Sequence, residues 1–249
     1  AFLDLEKWFM EVMEQYGVWV RWALAWKAQR NASIGNTAFP FDYRPGQRRL
    51  ISGVYQTIIR GKKLFIQAPT GTGKTISTMF PAIKVMGEGR SDKIFYLTAK
   101  TITRTVAQEA LDILEKNGMA FKYITLTAKE KCCILDEPRC SPGECPRAKG
   151  HYDRVNRAVF DMICRENAIT REVVERYAGE YNVCPFEMQL DAAVWLDGVI
   201  CDYNYVFDPY VYLKRFFGDS RGNYILLIDE AHNLVERARE MFSAKLCVS

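Results

Sequence analysis

Apolar positions at Leu5, Trp8, Phe9, Val12, Met13, Tyr16, Val20, Leu24 and Ala28 recur every three or four residues, the spacing that lines up one face of a helix. The pattern predicts an amphipathic helix over residues 4–30, with an apolar face suited to packing on a neighbouring domain. Gly35, Pro40 and Pro45 punctuate a break at Ile34–Pro45. Beyond it, short apolar runs alternate with helical ones. Leu64–Ala68 reads as a strand running into a glycine-rich turn, followed by a helix from Lys74 towards Met86. Ile94–Thr98 reads as a second strand, with a helix from Thr101 to Asn117, and Tyr123–Leu126 as a third. Strand character vanishes between Thr127 and about Leu196, then resumes at Gly198–Cys201 and Ile225–Asp229. Continuous apolar strands alternating with helices predict an α/β fold, a parallel sheet with helices on both faces. The expected units are a helical segment at 1–35, an α/β domain made of 36–127 and 197–249, and an insertion at 128–196.

With 249 residues, 49% of them hydrophobic and 13% aromatic, the chain has material for one large core or two small ones. A formal charge of +4 is mildly basic, which suits nucleic acid without being diagnostic. No run of eighteen apolar residues predicts a membrane span. The opening AFLDLEKWFM lacks the basic and apolar regions of a secretory signal. It also lacks an initiator Met, so the chain is expected to be processed or part of a longer one. Six of the eight cysteines fall between Cys132 and Cys184. Disulfide scaffolds spread cysteines along the chain, so clustering predicts an intracellular protein with a metal site.

The segment LFIQAPTGTGKTIS has the strand, loop and helix order of a phosphate-binding loop. Its candidate nucleotide contacts are Pro69, Thr70, Gly71, Thr72, Gly73, Lys74 and Thr75. Gly71 and Gly73 let backbone N–H groups turn inward, Lys74 can reach the β- and γ-phosphates, and the Thr75 hydroxyl can hold Mg²⁺. Ala68 stands where the motif's first glycine is usual, a small residue for a small one. The run YILLIDEAH delivers Asp229 and Glu230 to the carboxyl end of a buried strand, beside the phosphate loop in such a sheet. Asp229 can bind Mg²⁺ through water, and Glu230 can orient and activate an attacking water.

Thiolates select soft metals. After Cys133 the intervals to Cys140, Cys145 and Cys184 are six, four and thirty-eight residues, which give one close pair where structural zinc usually has two. Cys145 and Cys184 each precede Pro, as happens beside ferredoxin ligands. Spacing alone leaves iron–sulphur, zinc and buried thiols open. Cys164 sits in a helical pattern and reads as core; Cys201 and Cys247 read as thiols without a role. Thr98, Lys100, Thr101 and Thr103 follow the second strand, where they can grip phosphates or simply cap a helix. Arg147, Lys149, His151, Arg154 and Arg157 surround Tyr152, charge with an aromatic in the manner of single-strand binding or of a solvated helix face. Tyr203 and Asn204 are further candidate contacts in an aromatic string that otherwise reads as packing.

DEAH after an A-x-x-G-x-G-K-T loop resembles the first RecA-like motor domain of superfamily 2 helicases. R-x-x-Q at Arg44–Gln47, the cysteine insertion and CDYNYVFDP at Cys201–Pro209 narrow the resemblance to the iron–sulphur helicases of the XPD and DinG family, with a bacterial DinG-like character. It covers Phe39 to about Val235. The resemblance implies an ATP-dependent DNA helicase moving 5′→3′ on single-stranded DNA or junctions, in the cytoplasm. Arg44 and Gln47 would join the nucleotide contacts, Gln47 at the adenine, and His232 would couple the site to a second motor domain. It also implies a [4Fe–4S] cluster on Cys133, Cys140, Cys145 and Cys184, the last in CPFE; Cys133 precedes Ile134, as the family's first ligand tends to, and so is chosen over Cys132. The second motor domain with its arginine finger lies outside this sequence, so the isolated chain is expected to hydrolyse ATP barely. A P-loop kinase lacks support from any acceptor motif; a non-catalytic ATP- and DNA-binding module is the alternative.

Overall fold

Apolar runs line up side by side because a strand inside a parallel sheet can bury both of its faces. The computed structural model describes residues 2–69, 71–99, 101–218 and 222–244. In chain order the helices and strands are α1 (Phe2–Asn36), α2 (Gln47–Ile59), α3 (Lys74–Gly87), β1 (Lys93–Leu97), α4 (Thr101–Lys116), β2 (Tyr123–Thr125), α5 (Lys129–Cys132) and α6 (His151–Arg165). Then follow β3 (Ala168–Ile169), α7 (Arg171–Glu180), α8 (Pro185–Trp195), β4 (Gly198–Cys201), α9 (Asn204–Phe207), α10 (Lys214–Phe217), β5 (Tyr224–Ile228) and α11 (Leu234–Met241). The sheet is parallel, in the order β3-β2-β4-β1-β5.

Strand periodicity divides the core in two. Ile94, Tyr96, Tyr123 and Ile200 face α3 and α4. Phe95, Leu97, Ile124 and Val199 face α6, α7 and α8, with Trp19 and Trp22 of α1 packed at the margin. The stretch expected as an insertion therefore supplies the cover for one face of the sheet. It also contributes β3, which pairs with β2, where no strand was expected. Cys164, expected in the core, lies on the exposed side of α6.

The expected strand at Leu64–Ala68 does not form. An extended segment becomes a strand only when a neighbour completes its hydrogen-bond ladder. Here β5 pairs with β1 alone among the described residues, leaving Leu226 and Ile228 of β5 partly exposed, and Phe65 is 90% exposed. The first helix runs to Asn36, past the break expected at Ile34. Gly87 permits this: a Cβ there would stand 2.5 Å from Ile34 Cγ2, so only glycine lets α1 and α3 meet so closely. The Asp4–Tyr16 part of α1 is exposed. No helix of the described residues is long and apolar enough to cross a membrane.

The docked half of α1 is pinned at the amino ends of the strands. Trp26 Nε1 donates to Asp197 Oδ2 at 2.9 Å, as does the Lys122 amide, and Arg30 forms a buried ion pair with the same carboxylate. Lys93 lies beside them, its ammonium donating to Leu196 O. Burial pushes the Lys93 amine down to about 8, against the attraction of Asp197 and with the repulsion of Arg30.

Unfolded, Lys93 holds its proton to about 10.5; folded, only to about 8. Between these values the unfolded chain binds more protons, so stability rises with pH. The cost of burying the ammonium is present below pH 8 and relieved above it. The stability difference between wild type and Lys93→Met, from denaturant unfolding, should shift towards wild type by about 3 kcal/mol between pH 7 and pH 10.5. A difference that stays constant with pH would contradict this burial.

Candidate nucleotide-binding site

The phosphate loop owes its shape to two glycines. Gly71 and Gly73 have φ of 79° and 72°, the left-handed region that L side chains enter at a cost. The turn at Gly73 starts α3 at Lys74, so the positive end of the helix dipole faces the loop. Lys74 Nζ donates to Ala68 O at 2.9 Å, and Thr72 Oγ1 to Pro69 O at 2.9 Å. Arg44 reaches in from outside and donates to Gly71 O. Gln47 is 5% exposed. It accepts from the Arg44 amide and donates to Ser77 Oγ at 2.9 Å, which commits its side chain to bracing the loop from behind. Thr70 lies outside the described residues.

Opposite stands the acidic turn. Asp229 N donates to Leu97 O at 2.9 Å, extending the ladder one residue past β5. Glu230 then adopts φ 49° and ψ 46°, a left-handed conformation without glycine's freedom, which costs on the order of 1–3 kcal/mol. His232 is exposed, with Nδ1 3.4 Å from Glu230 Oε2. Two tyrosines hold this turn. Tyr203 is fully buried, and its hydroxyl donates to Asp229 O and, at 3.2 Å, to Glu230 O. Burial pushes its phenol up to about 12, so it remains a donor. Tyr96, one residue before the end of β1, is buried, and burial, then the nearby Asp229 charge, raises its pKa strongly. Thr75 and Asp229, the residues expected at Mg²⁺, thus both lie near the Tyr96 phenol, and their oxygens have the hard-donor chemistry that Mg²⁺ prefers.

The expected nucleic-acid residues separate into committed and free ones. Thr98 is 1% exposed, with its hydroxyl against Thr103. Tyr203 is taken into the core by the bond just described. Arg154 donates to Tyr181 O at 3.1 Å, Lys149 O at 2.7 Å and Asn182 O at 2.8 Å, tying α6 to the loop before α8. Lys149 and Tyr152 are exposed and Arg147 is half-buried. Lys100 and the Thr101 side chain lie outside the described residues. A cluster that the sequence reading missed sits at the carboxyl end of β4. Arg237 donates to both Asp202 oxygens, at 2.9 and 3.2 Å, and Arg104 Nη2 lies 4.0 Å from Asp202 Oδ2. Arg104 Nε, Arg237 Nε and Asn204 Oδ1 are buried without a partner.

The cysteines lie along 132–145 and at the start of α8. Cys132 and Cys145 are buried, Cys133 and Cys184 half-buried, and Cys140 exposed. Burial, then the neighbouring Cys184 and Cys133 thiols, pushes Cys132 up to about 11. The neighbouring Cys140 raises the Lys129 amine, and Cys184, the residue just before α8, donates its amide to His151 Nδ1 at 3.2 Å. Among the described residues no three His, Cys, Asp or Glu side chains converge as metal ligands. The expected set Cys133, Cys140, Cys145 and Cys184 is therefore present as a thiol-rich lobe of the right chemistry, not as a formed shell. Cys247 lies outside the described residues.

The DEAD_2 family profile matches residues 98–249, and the DEAD/DEAH box helicase profile matches residues 44–135. The chain is 23% identical over 250 residues to a regulator of telomere elongation helicase 1 homolog of Caenorhabditis elegans, covering 84% of this chain and 25% of that one. It is 23% identical over 197 residues to the ATP-dependent DNA helicase XPD of Sulfolobus acidocaldarius, covering 77% and 33%. The chain thus spans about a quarter to a third of the length of these relatives. Two solved structures share the fold: an XPD helicase (TM-score 0.53, 17% identity, 80% of this chain and 34% of that one) and a truncated XPD (0.52, 19%, 75% and 52%).

The division of the basic stretch can be measured directly. Arg154→Met removes a cation with three carbonyl partners and should cost about 2 kcal/mol in denaturant unfolding. Tyr152→Ala, at a residue 85% exposed, should change stability by less than about 0.5 kcal/mol. Equal losses would contradict this assignment.

Proposed function

The chain belongs to the DEAD_2 family of XPD- and DinG-like superfamily 2 helicases, and on that premise we propose that it is the ATP-binding wall of a DNA-translocating motor. The reading rests above all on the left-handed glycine turn of the phosphate loop and the left-handed acidic turn at Glu230, with the Tyr96 phenol near both Thr75 and Asp229. Lys74 would leave the Ala68 carbonyl to hold the β- and γ-phosphates. Thr75 and Asp229 would hold Mg²⁺, which neutralises charge developing on the phosphate oxygens. Glu230 would orient a water for in-line attack and accept its proton. Arg44 and Gln47 would support the loop at the nucleotide, and His232 would report its state across the site.

Hydrolysis at a useful rate needs a cation from the opposite wall, and arginine fingers contribute ~10³–10⁵ in rate. We place that wall in a second motor domain outside this chain, consistent with relatives of which the match to this chain covers only 25% and 33%. Single-stranded DNA would cross the carboxyl ends of the strands towards Lys149, Arg147 and Tyr152, moving 5′→3′ as the family resemblance implies, in the cytoplasm. Exposed Tyr152 can stack on a base while its basic neighbours meet phosphates. Cys133, Cys140, Cys145 and Cys184 would hold a [4Fe–4S] cluster, with Cys132 adjacent to the same lobe. Bound there, the cluster would staple a segment that has little core of its own.

Glu230→Gln in the intact protein should preserve ATP binding while slowing hydrolysis by ~10²–10⁴, and Lys74→Ala should abolish it; the isolated chain should turn over barely, if at all. DNA-stimulated turnover by the isolated chain, lost on Lys74→Ala, would refute the missing wall, and full activity in Glu230→Gln would refute the base. Separately, protein prepared without oxygen should be brown and contain iron and acid-labile sulphide. Stoichiometric zinc without iron would overturn the cluster.

A further inference from the structure

Only two described residues other than glycine have positive φ: Asn182 and Glu230. Asparagine tolerates the left-handed region, because its short amide can bond locally. Glutamate has no such excuse, so its conformation must be imposed by neighbours. The Glu230 carbonyl receives Asn233 N at 2.9 Å, Asn233 Nδ2 at 3.1 Å and Tyr203 Oη at 3.2 Å. The Asp229 carbonyl receives Tyr203 Oη. Tyr203 can act as a fixed donor because its ring is fully buried and it stands two residues past β4, itself two strands from β5 in the sheet. Next to it, Asp202 holds Arg237 of α11, so adjacent residues grip the acidic turn and the helix that follows it.

We propose that Tyr203 is a positioning residue for hydrolysis, holding the carbonyls of Asp229 and Glu230 so that the left-handed turn presents the Glu230 carboxylate to the nucleotide. The proposal rests on the reading of Glu230 as the water-activating base. Without the hydroxyl, the Asp229 carbonyl loses its side-chain donor and Glu230 is free to relax to a right-handed turn, which re-aims its carboxylate. Nucleotide affinity, set largely by the phosphate loop, is not expected to follow.

Tyr203→Phe removes one oxygen and keeps the ring. In the intact protein it should leave Mg·ATP affinity within about two-fold and lower kcat by on the order of 10²-fold, the cost of a misaimed group. Amide exchange across residues 229–233 should accelerate about ten-fold, the equivalent of one hydrogen bond. In a Glu230→Gly background, where the left-handed turn carries no strain, Tyr203→Phe should accelerate that exchange clearly less. Should Tyr203→Phe fold poorly, Asn233→Ala, which removes a donor from the other side, should give the same loss in kcat without loss of affinity. Unchanged kcat or unchanged exchange in Tyr203→Phe would overturn the proposal, as would equal acceleration in both backgrounds. Lys74→Ala separates the two readings: if hydrolysis survives it, the ATPase assignment fails, while the exchange comparison still decides the clamp.

Discussion

Everything functional in this chain hangs on three strands ending at one level. Leu97 of β1 is in register with Cys201 of β4 and with Ile228 of β5, so the next residues, Thr98, Asp202 and Asp229, emerge together. Parallel pairing makes this possible, because every carboxyl end then lies on the same side of the sheet and crossovers return from the other. A slip of one residue would turn Tyr96 into the opposite layer, away from Thr75 and Asp229.

The two ends of the sheet handle buried polarity differently. At the amino ends, the Asp197 carboxylate is satisfied by Arg30, Trp26 and the Lys122 amide. Such a network fixes where α1 docks more than it stabilises, since desolvating the charges offsets much of their attraction. At the carboxyl ends, Arg104, Arg237 and Asn204 keep buried atoms without partners, and a glutamate sits in a left-handed turn. Among the described residues, the other buried side-chain atom without a partner is His151 Nε2, so most of the unsatisfied polar atoms lie at the carboxyl ends.

Much of this was legible in the residues. Alternating apolar runs gave β1, β2, β4 and β5 within a residue or two, because a buried strand must be apolar whatever its neighbours do. Leu64–Ala68 failed for the complementary reason: its apolar content is local, but a strand needs a partner, and the edge of β5 has none among the described residues. The Gly71 and Gly73 turn was readable from glycine alone. Tyr96, Asp202 and Arg237 were not, since a tyrosine in a strand reads as packing and an ion pair across thirty-five residues leaves no local spacing. The partners of Tyr203 and Arg154 were equally illegible: aromatic and basic side chains suggest ligands, while here both also bond backbone carbonyls distant in sequence.

The central claim is that the phosphate loop and the acidic turn form one Mg²⁺-dependent nucleotide site. Titrating ATP into this chain by calorimetry, with Mg²⁺ and with chelator, tests it most directly. The account predicts binding that weakens when Mg²⁺ is removed, weakens likewise in Asp229→Ala with Mg²⁺ present, and loses its response to Mg²⁺ in that variant. Binding that is indifferent to both Mg²⁺ and Asp229 would contradict it.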